Sequence, residues 1–496
     1  MLIPLVLPPG VYHTGTEYAS AGRWNLAKLM RWFNKDIMPF GGWERVAGGT
    51  LSGPGRGMLP WRPSSFARQM MVGTPDNLYV WDEDSFINVT PAGYAPGVVD
   101  GFDGPGYGFE GYGDGDYGVA SGSPATQPTI WALDTWGSHA VALATHEGVV
   151  YEYANNGAPA QPVANAPTGR WAFVTEEGML VVLGANGDMR LAMWSGQQNN
   201  TVWTPDPSNA AGDYPFQTPG TLVAGQRIRG GSLIWTTTDL WLMRFIGGTL
   251  VYNFTRVGRD CGLIAPLAAQ VLPNGTAIWM GARGFYLWDG SQVRRLACEL
   301  QDYIFQDINL TQAGKFASGQ ISTFGEVLFF YASADSETNN RCISYNVLEN
   351  HWNIVDPDGT MPRGCWANAD AFPLPFAVGE NGLVYQHESG WSADGEPLIE
   401  ARFAQSGPLE LGNGDQVMEA VQMIPDDRTF GATQMHFIQR FTPHGAVTYR
   451  GPYEVTRPYT DIRVTARQVG IRLESLADED FRIGRFRLEA APGGGR

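Results

Sequence analysis

Seven histidines are the natural first candidates for chemistry, and they are scattered: His13, His139, His146, His351, His387, His436 and His444. None sits in an HExxH, GxSxG or GxxxxGK(S/T) pattern. His146-Glu147 and His387-Glu388 are suggestive pairs, yet each falls at a turn of a repeat described below, where a structural role is expected. Asp82/Asp84 and Asp478/Glu479/Asp480 have the residue type of glycosidase acids, although such carboxylates converge from distant segments and show no spacing of their own. Cys261, Cys298, Cys342 and Cys365 are widely spaced with no CxxC pair, so buried free thiols are expected rather than a zinc site or a disulfide scaffold. Residues 106–111 spell GxGxxG, but no strand precedes them and no helix follows, as a dinucleotide site requires. No catalytic residue, cofactor or metal site is expected, and the chain does not read as an enzyme.

The elements that would hold any site must be strands. The 496 residues include 63 Gly and 33 Pro beside 43% hydrophobic and 12% aromatic residues. That composition suits many short strands joined by tight turns, with ample material to bury. The chain is too long for one ordinary core unless a repeat spreads the core out. A net charge of −17 argues against a basic nucleic-acid grip. It fits either plain solubility or a lining that repels phosphates and lets a duplex slide. The apolar N-terminus has no basic flank or cleavage site, and no apolar run approaches the ~20 residues that span a bilayer. Synthesis in the cytosol without a membrane anchor is expected.

One phrase recurs: a turn, an apolar–aromatic strand, a polar turn. It stands at 73–82, 145–154, 236–245, 281–290 and 379–388, with weaker copies near 190–194 and 341–345. Leu240 to Phe285 spans 45 positions, while Val149 to Leu240 and Phe285 to Leu383 span 91 and 98, close to two such periods each. A second apolar run precedes each copy, as at 179–183, 277–280 and 327–331. A strand-only period of roughly 40–50 residues is the mark of propeller blades. The expected fold is all-β: a β-propeller over 58–390, of about seven blades and between six and eight. Leu78 to Val149 spans 71, one period plus an insertion. That insertion, 93–125, is rich in Gly, Asp and Tyr and reads as a projecting loop that touches a partner or lines an opening, through Asp100, Asp103, Glu110, Asp114 and Asp116.

The ends differ from the middle. Residues 1–57 carry Trp24, Arg31, Trp32 and Trp43, with a period that fits a short helix or a strand. They either pack on their own propeller or dock as an arm on a neighbour. From 391 to 496 alternating strands predict a C-terminal antiparallel β-sandwich. Its arginines, among them Arg463, Arg467, Arg482, Arg485 and Arg487, are placed either to meet carboxylates of another subunit or simply to face solvent.

Several phrases together resemble a known family. They are Gly10-Val-Tyr12, Gly22-Arg-Trp24, Arg31-Trp32 and Pro39-Phe-Gly-Gly-Trp43, then 193–205 with 209–214, then Cys261-Gly-Leu-Ile-Ala-Pro266, Trp279-Met-Gly281 and Phe481-Arg-Ile-Gly-Arg-Phe-Arg-Leu488. These are similar to the tail nozzle proteins (tail tubular protein B) of short-tailed bacteriophages. The resemblance implies a structural virion protein, assembled in the host cytoplasm into a homo-oligomeric ring of six. It implies partners above and below: the adaptor or head-to-tail connector, and tail fibres or distal tail proteins. Viral DNA would touch the channel transiently during ejection. The alternative is a propeller that binds glycans or proteins, as an adhesin or tail-hub protein.

Overall fold

The recurring phrase is the third strand of every blade. The computed structural model describes all residues except 65–66, 104–125, 412–415, 426–431, 443–444 and 494–496. The third strands are Leu78–Trp81, Val150–Tyr153, Leu191–Trp194, Leu240–Gly247, Gly284–Trp288, Arg341–Asn346 and Val384–His387. Each lies in its own four-stranded antiparallel sheet, giving seven blades. The first strands, Gly57–Ser64, Trp131–Trp136, Trp171–Val174, Leu222–Ile228, Ala269–Val271, Ala317–Ile321 and Arg363–Ala367, pack against one another in order, and the seventh packs back on the first. Second strands such as Leu180–Leu183, Ala277–Gly281 and Glu326–Tyr331 are buried at every position. Sheets covered on both faces explain their unbroken apolar sequence.

Neighbouring blades interlock by aromatic rings over glycines. Trp131 in the first strand of blade two covers Gly57 and Gly73 of blade one, and its indole N–H donates to the Thr74 carbonyl at 2.7 Å. Phe173 of blade three covers Gly225 of blade four. A Cβ added at Gly73 would lie 2.3 Å from the Trp131 ring. Gly73→Ala is therefore expected to destabilise the propeller by about 1–3 kcal/mol through overpacking, read as a lowered thermal midpoint. An unchanged midpoint would show that the ring can move aside.

Blade seven is completed from far away in sequence. Its first three strands come from residues 363–387, but its outer strand is Trp43–Arg45, with His387 opposite Trp43 and Tyr385 opposite Arg45. The first residues also build the second domain, a sandwich of two sheets. Leu2–Leu5 lies at the edge of one, beside Phe486–Pro492, Met418–Ile424 and Thr460–Ala466. Trp24–Lys28 lies at the edge of the other, beside Phe403–Ser406, Gln468–Ser475, Thr433–Arg440 and Thr448–Glu454. Residues 1–57 are thus no separate arm. Their ambiguous period resolves as strands shared between two domains, and one continuous apolar cluster runs from the blades into the sandwich.

Candidate functional site

All seven blades contribute to an axial cavity of about 380 Å³. Along one side an amide chain links three blades: Asn368 Nδ2 donates to Gln270 Oε1 at 2.9 Å, and Gln270 Nε2 to the Ser318 carbonyl at 2.9 Å. Across from them the Asp134 carboxylate accepts from Arg227 Nη2 and from the Val174 N–H, both at 2.7 Å. Burial pushes Asp134 up from the usual carboxylate range, against the pull of Arg227 and these N–H groups. Cys365 also lines the cavity, and burial pushes its thiol up to about 12. It is a neutral thiol at physiological pH, unsuited to nucleophilic attack. Asn368, Gln270, Asp134 and Arg227 thus tie blade to blade.

The mouth at the face where the chain passes between blades is strapped. Residues 97–103 and 126–130 leave the gap between blades one and two and are fastened by residues 309–315, between blades five and six, across the ring. Gly101 N–H donates to Gln312 Oε1 at 2.9 Å, and Gln312 Nε2 returns to the Gly101 carbonyl at 3.0 Å. Lys315, fully buried, reaches Asp100 at 2.5 Å, and Thr311 bonds Asp103. Burial pulls the Lys315 ammonium below its usual pKa, and the bond to Asp100 opposes that. Arg56 and Glu380 pair at 3.0 Å close by.

Chemistry-bearing side chains are densest at the joint between the domains. Arg31 holds Glu388 through both terminal nitrogens, at 2.8 and 2.7 Å, and lies between the rings of Phe40 and Phe324. Its Nε is 3.2 Å from Glu326, but off the hydrogen-bond line, so Glu326 receives weaker compensation. Burial raises Glu326 to about 7, with Arg31 opposing and Glu388 adding to the rise. Arg363 donates to His387 Nε2 at 3.0 Å and stacks on Trp43 and Tyr385. Burial, then the Arg363 charge, hold His387 well below 6.5, so it stays neutral. Arg402 meets Asp478 at 2.9 Å and also bonds the Phe40 and Trp391 carbonyls. Backbone bonds complete the weld: Leu29 to Val355, and Ile37 with Ile483 in both directions.

Most residues singled out in the sequence have structural duties here. Trp24, Arg31, Trp32 and Trp43 are buried inside their own chain, not offered to a neighbour, because sandwich and blades cover their apolar area. Asp100 and Asp103 fasten the strap, since a buried ammonium such as Lys315 needs a carboxylate. Glu110, Asp114 and Asp116 lie outside the described residues. Arg463 and Arg487 are exposed on one sheet face and alternate with buried Ile462, Val464, Phe486 and Leu488. Arg485 borders a groove beside that face, while Arg467 and Arg482 are half-buried. Asp82 caps its own turn by accepting from Ser85 N–H at 2.8 Å. His146 bonds the Ala95 carbonyl and meets Tyr94 edge-on, His139 pairs with Glu152, and His436 pairs with Glu474. Among the described residues no three His, Cys, Asp or Glu converge as a metal site. The four cysteines are free.

No protein-family model and no curated protein matches this chain. Among solved structures it is similar to YCF48 bound to D1 peptide, at 9% identity and a TM-score of 0.41, over 70% of this chain and 96% of that one. It is also similar to the β-propeller domain of Cps50 (Swd1) of Myceliophteria thermophila, at 10% identity and a TM-score of 0.41, over 70% of this chain and 99% of that one. The blade count rests on the seven closed sheets themselves.

Proposed function

We propose that the chain is a structural subunit of the phage tail-nozzle kind, working mechanically and not as an enzyme. In this reading six copies form a ring below the head-to-tail adaptor, with fibres or distal tail proteins attached beyond it. Its place is the virion tail, after assembly in the host cytoplasm. One observation carries the reading. The phrases behind the family resemblance, around Trp24, Arg31-Trp32, Trp43 and Ile483, are the residues that weld propeller to sandwich. A rigid joint suits a subunit that must keep its shape under internal pressure. The acidic balance supports the same reading, since a wall of net negative charge does not hold phosphates. With the entry mouth of the propeller strapped, the conduit is the opening between copies and not the bore of each propeller.

Solution mass and negative-stain imaging test this, on the chain alone and coexpressed with the proteins encoded beside it. Rings of six are the expected result. A strict monomer at high concentration in both preparations would overturn the proposal.

A further inference from the structure

Charge is distributed unevenly around the blades. Residues 222–296, blades four and five, hold eight Arg against three acidic residues, a net +5 in a chain of −17. Residues 57–96 and 126–162, the strands and turns of blades one and two, hold two Arg against seven acidic residues, a net −5. In a closed ring of seven, the seam between blades four and five lies across from blade one. The positive charge of the propeller is therefore concentrated on blades four and five, with acidic turns elsewhere around the ring.

The positive side also carries an apolar projection. In blade four the third and fourth strands, Leu240–Gly247 and Val251–Gly258, run on past the second, whose last pairing is Ser232 with Met243. The overhang leaves Phe245 41%, Ile246 54% and Leu250 71% exposed. Val251 is held at φ +55°, a left-handed conformation that a β-branched residue rarely adopts and that marks a constrained tip. Arg244 flanks this tip, and Arg294 stands exposed on the outermost strand of blade five. Neither forms an ion pair among the described residues, although carboxylates elsewhere in the chain are plentiful. Large apolar side chains framed by arginines are the composition of a protein interface, whereas a phosphate backbone would leave the apolar tip uncovered.

A matching surface exists on the same chain. The corresponding third-to-fourth turn of blade one is Asp82-Glu83-Asp84, all exposed, with Arg68 at 3.6 Å from Glu83. Half-buried Phe86 and Ile87 follow on the outermost strand. We infer that the rim of blades four and five on one copy docks against the Asp82–Asp84 side of blade one on the next. Two different patches on opposite sides make a heterologous, head-to-tail contact, which generates a ring when the rotation closes. This contact rests on the ring reading above and names the surfaces that would build it.

Charge swapping tests it on the full-length chain, by light scattering and sedimentation at low and high salt. R244E/R294E and D82K/D84K, each alone, are expected to weaken self-association at least tenfold. Their mixture restores it, because each copy then offers the complement the other lacks. All four side chains are exposed, and a single cooperative thermal transition checks the fold, with the midpoint slightly lowered only in D82K/D84K, which gives up the Asp82 turn cap. Failure of the mixture to reassociate, or rings that persist in both single preparations, would overturn this contact; persistent rings would leave the ring reading standing. A wild-type chain that never associates, alone or with its adaptor, overturns both. Uptake of a short DNA duplex that R244E/R294E abolishes, with self-association unchanged, assigns the rim to nucleic acid and overturns it too.

Discussion

Arg31→Ala is expected to cost about 3–5 kcal/mol of stability, read as a fall in the urea midpoint, because it strands two buried carboxylates. Arg31 is nearly inaccessible, and it holds Glu388 by two parallel bonds while lying 3.2 Å from Glu326. Those carboxylates belong to the sixth and seventh blades, and Arg31 belongs to a hairpin, Met30–Phe33 with Asp36–Pro39, that leans on the sandwich through Ile37 and Ile483. Losing the guanidinium leaves like charges facing each other at the seam where both domains meet. It also removes the planar group packed between Phe40 and Phe324. Substituting all three charged residues with apolar ones of similar size, R31M/E326L/E388M, should recover most of the loss, since the desolvation cost of the charges disappears with them. If the single substitution proves neutral, or the triple variant is the less stable of the two, the cluster is not the clamp its geometry implies.

The second large effect depends on pH. Glu326 is raised to about 7 by burial, with Arg31 opposing and Glu388 reinforcing, because one guanidinium neutralises one of its two carboxylates. In the unfolded chain a glutamate ionises near ~4.3. The folded state therefore keeps a proton that the unfolded state releases between about 4.3 and 7, and stability drains away as pH rises through that window. Taken from the size of the shift, the loss is about 3–4 kcal/mol by pH 8, of which about 2–3 falls above pH 5. Glu326→Gln removes the titration. It should match the wild type near pH 5 and exceed it by about 2 kcal/mol at pH 8, in parallel urea titrations. A variant less stable than wild type at pH 8 would mean that Glu326 is ionised and well paired in the folded protein.

The blades were readable because their signal is local. Runs such as 179–183 and 327–331 are apolar without interruption, and the turns between them recur at nearly constant spacing. The closing strand of blade seven had no such signal. Trp43–Arg45 is three residues long with one buried position, and its partners stand some 340 residues later. Arg31 and Trp32 were conspicuous as residue types, but only the distant Glu326 and Glu388 turn that arginine inward. The strap was hidden for the same reason: Asp100 and Lys315 are 215 positions apart, and nothing local to either marks them as partners. The arginine excess of 222–296 was visible as composition, yet its meaning needed the ring order that sets blades four and five opposite blade one.

The placement of Trp43–Arg45 also has a consequence for biosynthesis. This strand leaves the ribosome early, whereas Val384–His387, which it must pair with, follows only after most of the chain has been made. At ordinary translation speeds of roughly 5–20 residues per second, that wait is on the order of tens of seconds. Leu2–Leu5 waits longer still, for Phe486–Pro492 at the other terminus. Nascent chains must therefore carry an unpaired leading segment through nearly the whole of synthesis, and a product truncated before residue 384 leaves the last blade and the sandwich both unfinished.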